Sequence, residues 1–237
     1  MPPTVCFVTG FWLGPKPYMR VASLLHSQGL PTEIITLPST GSISPNNPTM
    51  DDDIAFIRSK VADMMVDWKE VVLVLHSGAG FLGSNAIEGM TLPARKERDL
   101  RGGVSKIVFV TGAVFPEGFK HKLLPIYKID GGAMHCLEPE KLFYNDLPPD
   151  DAKTWIDELK TQPATEWDST VTYCGWREVP SVYLVCENDQ TIPPSMQLQC
   201  AELAGSQIER CDGGHVAMVS MPEKVAEVIK MAAESAN

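Results

Sequence analysis

Val71-Val72-Leu73-Val74-Leu75-His76-Ser77-Gly78-Ala79-Gly80 is the stretch that decides the fold. Its unbroken apolar start reads as a strand buried on both faces, the habit of parallel sheets covered by helices. The small residues after Ser77 let the chain turn sharply into a helix, expected from Ala79 to about Glu88. A second buried strand follows from Lys106 to Thr111.

The same rhythm extends outward. Thr4 to Thr9 is β-rich, Tyr18 to Gln28 has helical spacing, and Thr32 to Leu37 is β-rich again. Thr49 can N-cap a helix whose first turn holds Asp51, Asp52 and Asp53 and which runs to about Trp68. Beyond Val179 the alternation resumes: strand Ser181 to Cys186, helix Pro194 to Ala204, strand Gln207 to Cys211, helix Pro222 to Ala233. Between Ala113 and Val179 it breaks, giving way to prolines, acidic residues and the aromatics Phe143, Tyr144, Trp155, Trp167 and Trp176. These patterns predict one α/β domain, a doubly wound, mostly parallel sheet built from residues 1–113 and 174–237. Residues 114–173 are expected to form a short helical cap insertion.

Composition narrows the function classes. The chain has 237 residues, 44% apolar and 21% charged, as expected for a globular domain. A formal net charge of −10 disfavours nucleic acid, whose affinity comes largely from Lys and Arg neutralising phosphates. Met1 to Gly10 lacks the basic segment and long apolar core of a signal peptide and reads as the first strand. No apolar run approaches the ~20 residues of a membrane span. A soluble, cytoplasmic protein with no membrane partner is the expectation, and a homodimer is open to it. The six cysteines are scattered without a CxxC pair, so buried free thiols are expected.

A serine between strand and helix can be held with its hydroxyl raised above the sheet, or can simply cap the helix. Ser77 has small neighbours behind it, although Leu75 stands where an elbow usually has glycine. The same segment reads Gly78-Ala79-Gly80-Phe81-Leu82-Gly83, formally the GxGxxG of a dinucleotide site. Such a site needs an acidic residue ending the next strand, and Lys106 to Thr111 ends in Thr-Gly-Ala-Val-Phe. Thr9 to Gly14 matches the start of a short-chain dehydrogenase loop, but Lys16 replaces its last glycine and no tyrosine has lysine four residues later. No cofactor is expected.

Serine catalysis needs a histidine base and a carboxylate to orient it. After the strand Val182 to Cys186 come Glu187-Asn188-Asp189, offering Asp189 first and Glu187 second. Gly213-Gly214-His215 lies beyond the last strand. An oxyanion would need two backbone amides, and Gly78 and Phe11 in the turn after the first strand are the candidates. His76 should point away from Ser77 by strand alternation, and His26 reads as a surface residue. His121 and His135 fall in the cap, where His135 is the candidate for the pocket together with Trp12, Phe143 and Trp155. None of the histidines forms a metal-ligand pattern.

With these residues in place, the chain resembles the α/β-hydrolase family that contains plant methyl-ester esterases, hydroxynitrile lyases and many small fungal and bacterial esterases. The resemblance rests on FVTGFW (7–12), LVLHSGAG (73–80), GGVSKIVFVTGAVFP (102–116), FYNDLPPDDA (143–152), VPSVYLVCENDQTIPPSMQ (179–197) and GGHVAMVSMPEKVAEVI (213–229). It implies a cap over a narrow apolar pocket, no cofactor, and a Ser77, Asp189, His215 triad acting on a small, largely apolar carboxylic ester or lactone. Where the lyases carry a threonine, an acidic residue and a lysine, this chain has Gly10, His76 and Val216, as esterases do. Thr9 and Leu75 depart from the family pattern. Carbon-carbon bond cleavage or cyclisation by the same triad, and a ligand receptor retaining the fold, are the alternatives.

Overall fold

The computed structural model describes residues 2–66, 69–122, 124, 126–235. Its first half is a β/α alternation of strand β1 (Thr4–Val8), helix α1 (Met19–Ser27), β2 (Thr32–Ile35), α2 (Met50–Met64), β3 (Glu70–His76), α3 (Ala79–Ala86), α4 (Leu92–Lys96) and β4 (Gly103–Val110). A cap follows, made of β5 (Tyr127–Asp130), β6 (Ala133–Cys136), α5 (Pro139–Leu142), α6 (Pro149–Ile156) and β7 (Gln162–Pro163). The chain then returns with β8 (Ser181–Cys186), α7 (Pro194–Ala204), β9 (Gln207–Cys211), α8 (Ala217–Ser220) and α9 (Pro222–Glu234).

The main sheet has six strands in the order β2-β1-β3-β4-β8-β9, all paired in parallel. β4 and β8 are buried along their whole length, and β3 from Val71 onward, which is why residues 71–75, 107–110 and 182–186 read as apolar runs. Strand order reverses at β1, which has β2 on one side and β3 on the other. With right-handed crossovers, this reversal places α1 and α2 on opposite faces. α1 packs with α9, and α2 packs with α3. The reversal also opens a crevice at the carboxyl ends of β1 and β3, the usual ligand position in such sheets.

α2 starts as its sequence predicts. Thr49 Oγ1 accepts from Asp52 N–H while the Asp52 carboxylate accepts from Thr49 N–H, a reciprocal capping box. These bonds hold the Asp52 carboxyl below its ordinary pKa. The expected end of this helix at Trp68 lies outside the described residues. Asp53 is not the solvated first-turn acid its position implies but a fully buried one.

The cap is more than helical. β5, β6 and β7 form a three-stranded antiparallel sheet, with Gly131 and Gly132 both at positive φ in the β5–β6 turn. Loops of the main sheet hold it down: Trp12 Nε1–H donates to the Met134 carbonyl (2.8 Å), Lys160 N–H to the Trp12 carbonyl (2.8 Å), and Gly41 N–H to the Thr161 carbonyl (2.8 Å). The six cysteines are free thiols, all buried except the half-buried Cys136. Among the described residues no helix is long and apolar enough to cross a membrane.

Candidate active site

Ser77 immediately follows β3 at φ +53, a left-handed conformation that an L-residue adopts only when its surroundings enforce it. The Ser77 N–H donates to the Val110 carbonyl (3.3 Å), and the Ser77 carbonyl accepts from Gly80 and Ala113 N–H (both 2.9 Å). The small residues behind the serine are steric requirements. A Cβ on Gly78 would lie 2.7 Å from Phe11 Cζ, and one on Gly80 would lie 2.4 Å from the Ala113 carbonyl oxygen. Leu75, out of place by family pattern, is accommodated by Gly83 one turn into α3, where a Cβ would meet Leu75 Cδ2 at 2.2 Å. Thr9, the other departure, is fully buried with its hydroxyl unpartnered among the described residues.

Asp189 and His215 reach Ser77 from the loops after β8 and β9. Ser77 Oγ lies 2.9 Å from His215 Nε2, and His215 Nδ1 lies 2.9 Å from Asp189 Oδ2. An ionised carboxylate only accepts, so Nδ1 carries the ring proton and Nε2 is left as the acceptor facing the serine hydroxyl. Asp189 Oδ1 accepts from Thr191 N–H (2.7 Å) and Ile192 N–H (3.0 Å), and Oδ2 also takes a bond from Gln197 Nε2 (3.3 Å). Both His215 and Asp189 are about 1% exposed. Glu187 instead forms an ion pair with Arg210 on the surface. The cap contributes two clamps to these loops: Gly214 N–H donates to the Asp146 carboxylate, and Asn145 Nδ2 donates to the Asn188 carbonyl (2.9 Å).

In front of Ser77 lies a cavity of about 640 Å³, lined mainly by apolar and aromatic side chains. Trp12, expected in the pocket, lines it, as do Phe11 and Gly78, the expected oxyanion donors. The amides of Phe11 and Gly78 donate to no other group among the described residues.

Three residues expected in the pocket wall lie elsewhere. Phe143 is buried against Trp12 and the His215 ring (centroids 5.6 and 5.1 Å), so it backs the histidine instead of facing the cavity. Trp155 lines a separate groove of about 270 Å³ with Leu13, Pro15 and Tyr144. His135 sits within the cap sheet opposite Lys128 and is only half-buried. Residues 118–122, Leu124 and Ile126 line the cavity in its place, so His121 enters the wall, stacked near Tyr127 (6.1 Å) and edge-on to Phe11 (5.8 Å). Burial there lowers the His121 pKa to about 4. Sequence reading also missed Phe81, Phe115, Phe119, Ile192, Met196 and Cys200 in the wall. The Phe115 and Phe119 pair, stacked at 3.7 Å, had a signal in its aromatic spacing at the cap entrance. Among the described residues no group of three or more His, Cys, Asp or Glu side chains could hold a metal ion.

The chain is similar to known proteins over nearly its whole length. It is 30% identical over 250 residues to an alpha/beta hydrolase, nvfD, of Aspergillus novofumigatus, covering 99% of this chain and 98% of that one. Its fold superposes on tomato methylketone synthase I with a TM-score of 0.75 at 13% identity, covering all of both chains. It superposes on a methylesterase from Arabidopsis with a TM-score of 0.72 at 17% identity, covering 98% of this chain and 99% of that one. Residues 7–228 match the alpha/beta hydrolase family, and the chain belongs to that family.

Proposed function

We propose that the protein is a serine hydrolase that cleaves a small, largely apolar carboxylic ester or lactone through an acyl-enzyme on Ser77. The observation that carries this reading is the 2.9 Å approach of His215 Nε2 to Ser77 Oγ at the floor of the apolar cavity. His215 takes the hydroxyl proton as Ser77 Oγ adds to the ester carbonyl, and the Asp189 carboxylate holds the imidazolium that forms. Phe11 and Gly78 N–H receive the oxyanion, where two preorganised donors are worth most. Collapse of the tetrahedral adduct breaks the acyl–oxygen bond, and His215 returns its proton to the departing alkoxide. Water then adds to the acyl-enzyme by the same route, releasing the acid and restoring Ser77. A lactone would give one hydroxy acid product.

The wall chemistry supports an apolar acyl group, since aromatic rings and Ile192, Met196 and Cys200 surround the serine. A fluorophosphonate probe with peptide mapping, followed by a panel of p-nitrophenyl esters and lactones of varied chain length, tests the reading. The expected result is an adduct on Ser77, multiple turnovers of apolar esters, and neither in Ser77→Ala. Labelling elsewhere, or tight ligand binding with less than one turnover, would replace the hydrolase with another reading, the latter with a receptor. Product formation without hydrolysis of any ester, by carbon-carbon bond cleavage, would also overturn it.

A further inference from the structure

Behind the reactive atoms runs a chain of buried hydrogen bonds that the proposed mechanism does not use. Gly10 N–H donates to Tyr18 Oη (3.0 Å), Tyr18 Oη lies 2.9 Å from His76 Nδ1, and His76 Nε2 lies 2.9 Å from the His215 carbonyl oxygen. A carbonyl can only accept, so Nε2 carries the His76 proton. Burial, helped by the nearby His215 ring and only partly opposed by the hydrogen bond to the His215 carbonyl, pushes the His76 pKa well below its ordinary value, so the ring is neutral and Nδ1 is a bare acceptor. The Tyr18 hydroxyl therefore donates to His76 while accepting from Gly10, and every direction in the chain is fixed.

The two ends of this chain are functionally placed. Gly10 immediately precedes Phe11, whose amide is one of the two proposed oxyanion donors. The other end is the backbone of His215, whose carbonyl also accepts from Thr111 Oγ1 (3.4 Å). Tyr18 and His76 are each about 1% exposed and line no part of the cavity. Contact is close as well as hydrogen-bonded, for a Cβ on Gly10 would lie 2.7 Å from His76 Nδ1 and 3.0 Å from Ser77 Cβ. The two rings stand edge to face, with centroids 5.9 Å apart.

We propose that Tyr18 and His76 are positioning residues, a hydrogen-bonded strut that holds the oxyanion turn at Gly10 and Phe11 and the backbone of His215 in fixed register with Ser77. The proposal rests on the reading of Ser77 as nucleophile. Two hydrogen-bonded residues with a merely structural role would lower stability, as a coupled pair, and leave the reactivity of Ser77 in the folded protein unchanged. A strut gives a coupled loss of reactivity at Ser77, because breaking it at either bond frees the same two elements.

The test is the rate at which a fluorophosphonate probe labels Ser77, read together with kcat and KM for an activated ester and with the thermal midpoint. Tyr18→Phe keeps the ring and removes the hydroxyl. Labelling and kcat should fall about tenfold or more, since both buried hydrogen bonds of the hydroxyl are lost and one such bond expressed as a rate is worth about tenfold, while KM stays within about twofold. His76→Leu should fall at least as far, and adding Tyr18→Phe to it should cost nothing more. His76→Gln, whose side-chain amide can still donate to the His215 carbonyl, should recover most of the loss. Multiplicative effects of the two substitutions, unchanged labelling in Tyr18→Phe, or a loss confined to KM or to the thermal midpoint would overturn the strut. If His76→Leu does not fold, Tyr18→Phe and His76→Gln decide alone. A wild-type protein unlabelled at Ser77 would instead refute the nucleophile reading, and the strut with it.

Discussion

Leu75 occupies the volume that Gly83 leaves empty, since a Cβ at Gly83 would stand only 2.2 Å from Leu75 Cδ2. The residue usual two positions before an elbow serine is glycine, and here the small residue has moved across the strand–helix contact to α3. The pair should therefore behave as a unit. Gly83→Ala gains helix propensity but overpacks a fully buried leucine, for a net cost of about 1–3 kcal/mol. Leu75→Ala leaves a cavity and costs about 2–5 kcal/mol. Denaturant unfolding of the double variant should show a loss smaller than the sum, because the added methyl enters the space the leucine vacates. Strict additivity would mean that the two sites do not share that volume.

Asp189, not Glu187, carries the hydrogen bond to His215. Asp189→Asn keeps the shape but places an amide where the ring proton is accepted, so kcat for an activated ester should fall by about 10⁴. Glu187→Gln breaks only an exposed ion pair with Arg210, and kcat should stay within about twofold. The opposite ranking in steady-state kinetics would move the orienting role to Glu187.

The sheet was readable because burial on both faces writes itself as continuous apolar runs. Ser181 to Cys186 is bounded in the structure as its sequence predicts, and Val71 to Leu75 needs only Glu70 and His76 added. The candidate triad was readable for a related reason: loops after parallel strands all emerge at one edge, so Ser77, Asp189 and His215 converge whatever the helices do between them. The cap obeys no such rule. Its hairpin did leave a signal, Gly131-Gly132 between Tyr127-Lys128-Ile129-Asp130 and Ala133-Met134-His135-Cys136, the two-residue turn whose positive φ angles suit glycine. Which cap histidine faces the cavity was not written locally. His121 and His135 are distinguished by the packing of the His121 ring on Phe11 and Phe81, contacts between residues far apart in the chain.

Asp53 was illegible for the same reason. In sequence it is the third acid of a helix N-terminus, but its carboxylate accepts from Ser39 N–H (2.9 Å), Ser39 Oγ (2.5 Å) and Trp167 Nε1–H (2.8 Å). Burial raises its pKa, while these three donors act in the opposite direction. Trp167 in turn stands edge-on to Phe11 and His121, each at 5.0 Å, so Asp53 ties α2 to the roof of the cavity. Asp53→Ala strands buried donors and should cost about 3 kcal/mol or more in urea unfolding. The surviving folded protein should bind apolar esters more weakly, with KM raised more than kcat is lowered. An unchanged KM would show that Trp167 holds its place without the carboxylate.

His121 gives the protein a pH-dependent stability whose sign follows from its surroundings. It lies among Phe11, Phe81, Tyr127 and Trp167, and burial lowers its pKa to about 4, with Asp168 only partly opposing the shift. In the unfolded chain a histidine titrates near ~6.5. Between these values the unfolded state binds the extra proton, so the stability of the fold is full above the unfolded pKa and declines as pH falls toward the folded one. His76, depressed by burial, acts in the same direction. The thermal midpoint of the wild type should therefore drop between about pH 7 and pH 5, and His121→Phe, which keeps an aromatic ring and removes the titrating group, should drop less. The difference expected is several degrees, since a domain of this size shifts by about 2–4 °C per kcal/mol. Calorimetry over that range decides it: parallel pH profiles for wild type and His121→Phe would mean that His121 is free to take its proton while folded, and that the cavity wall is open there to water.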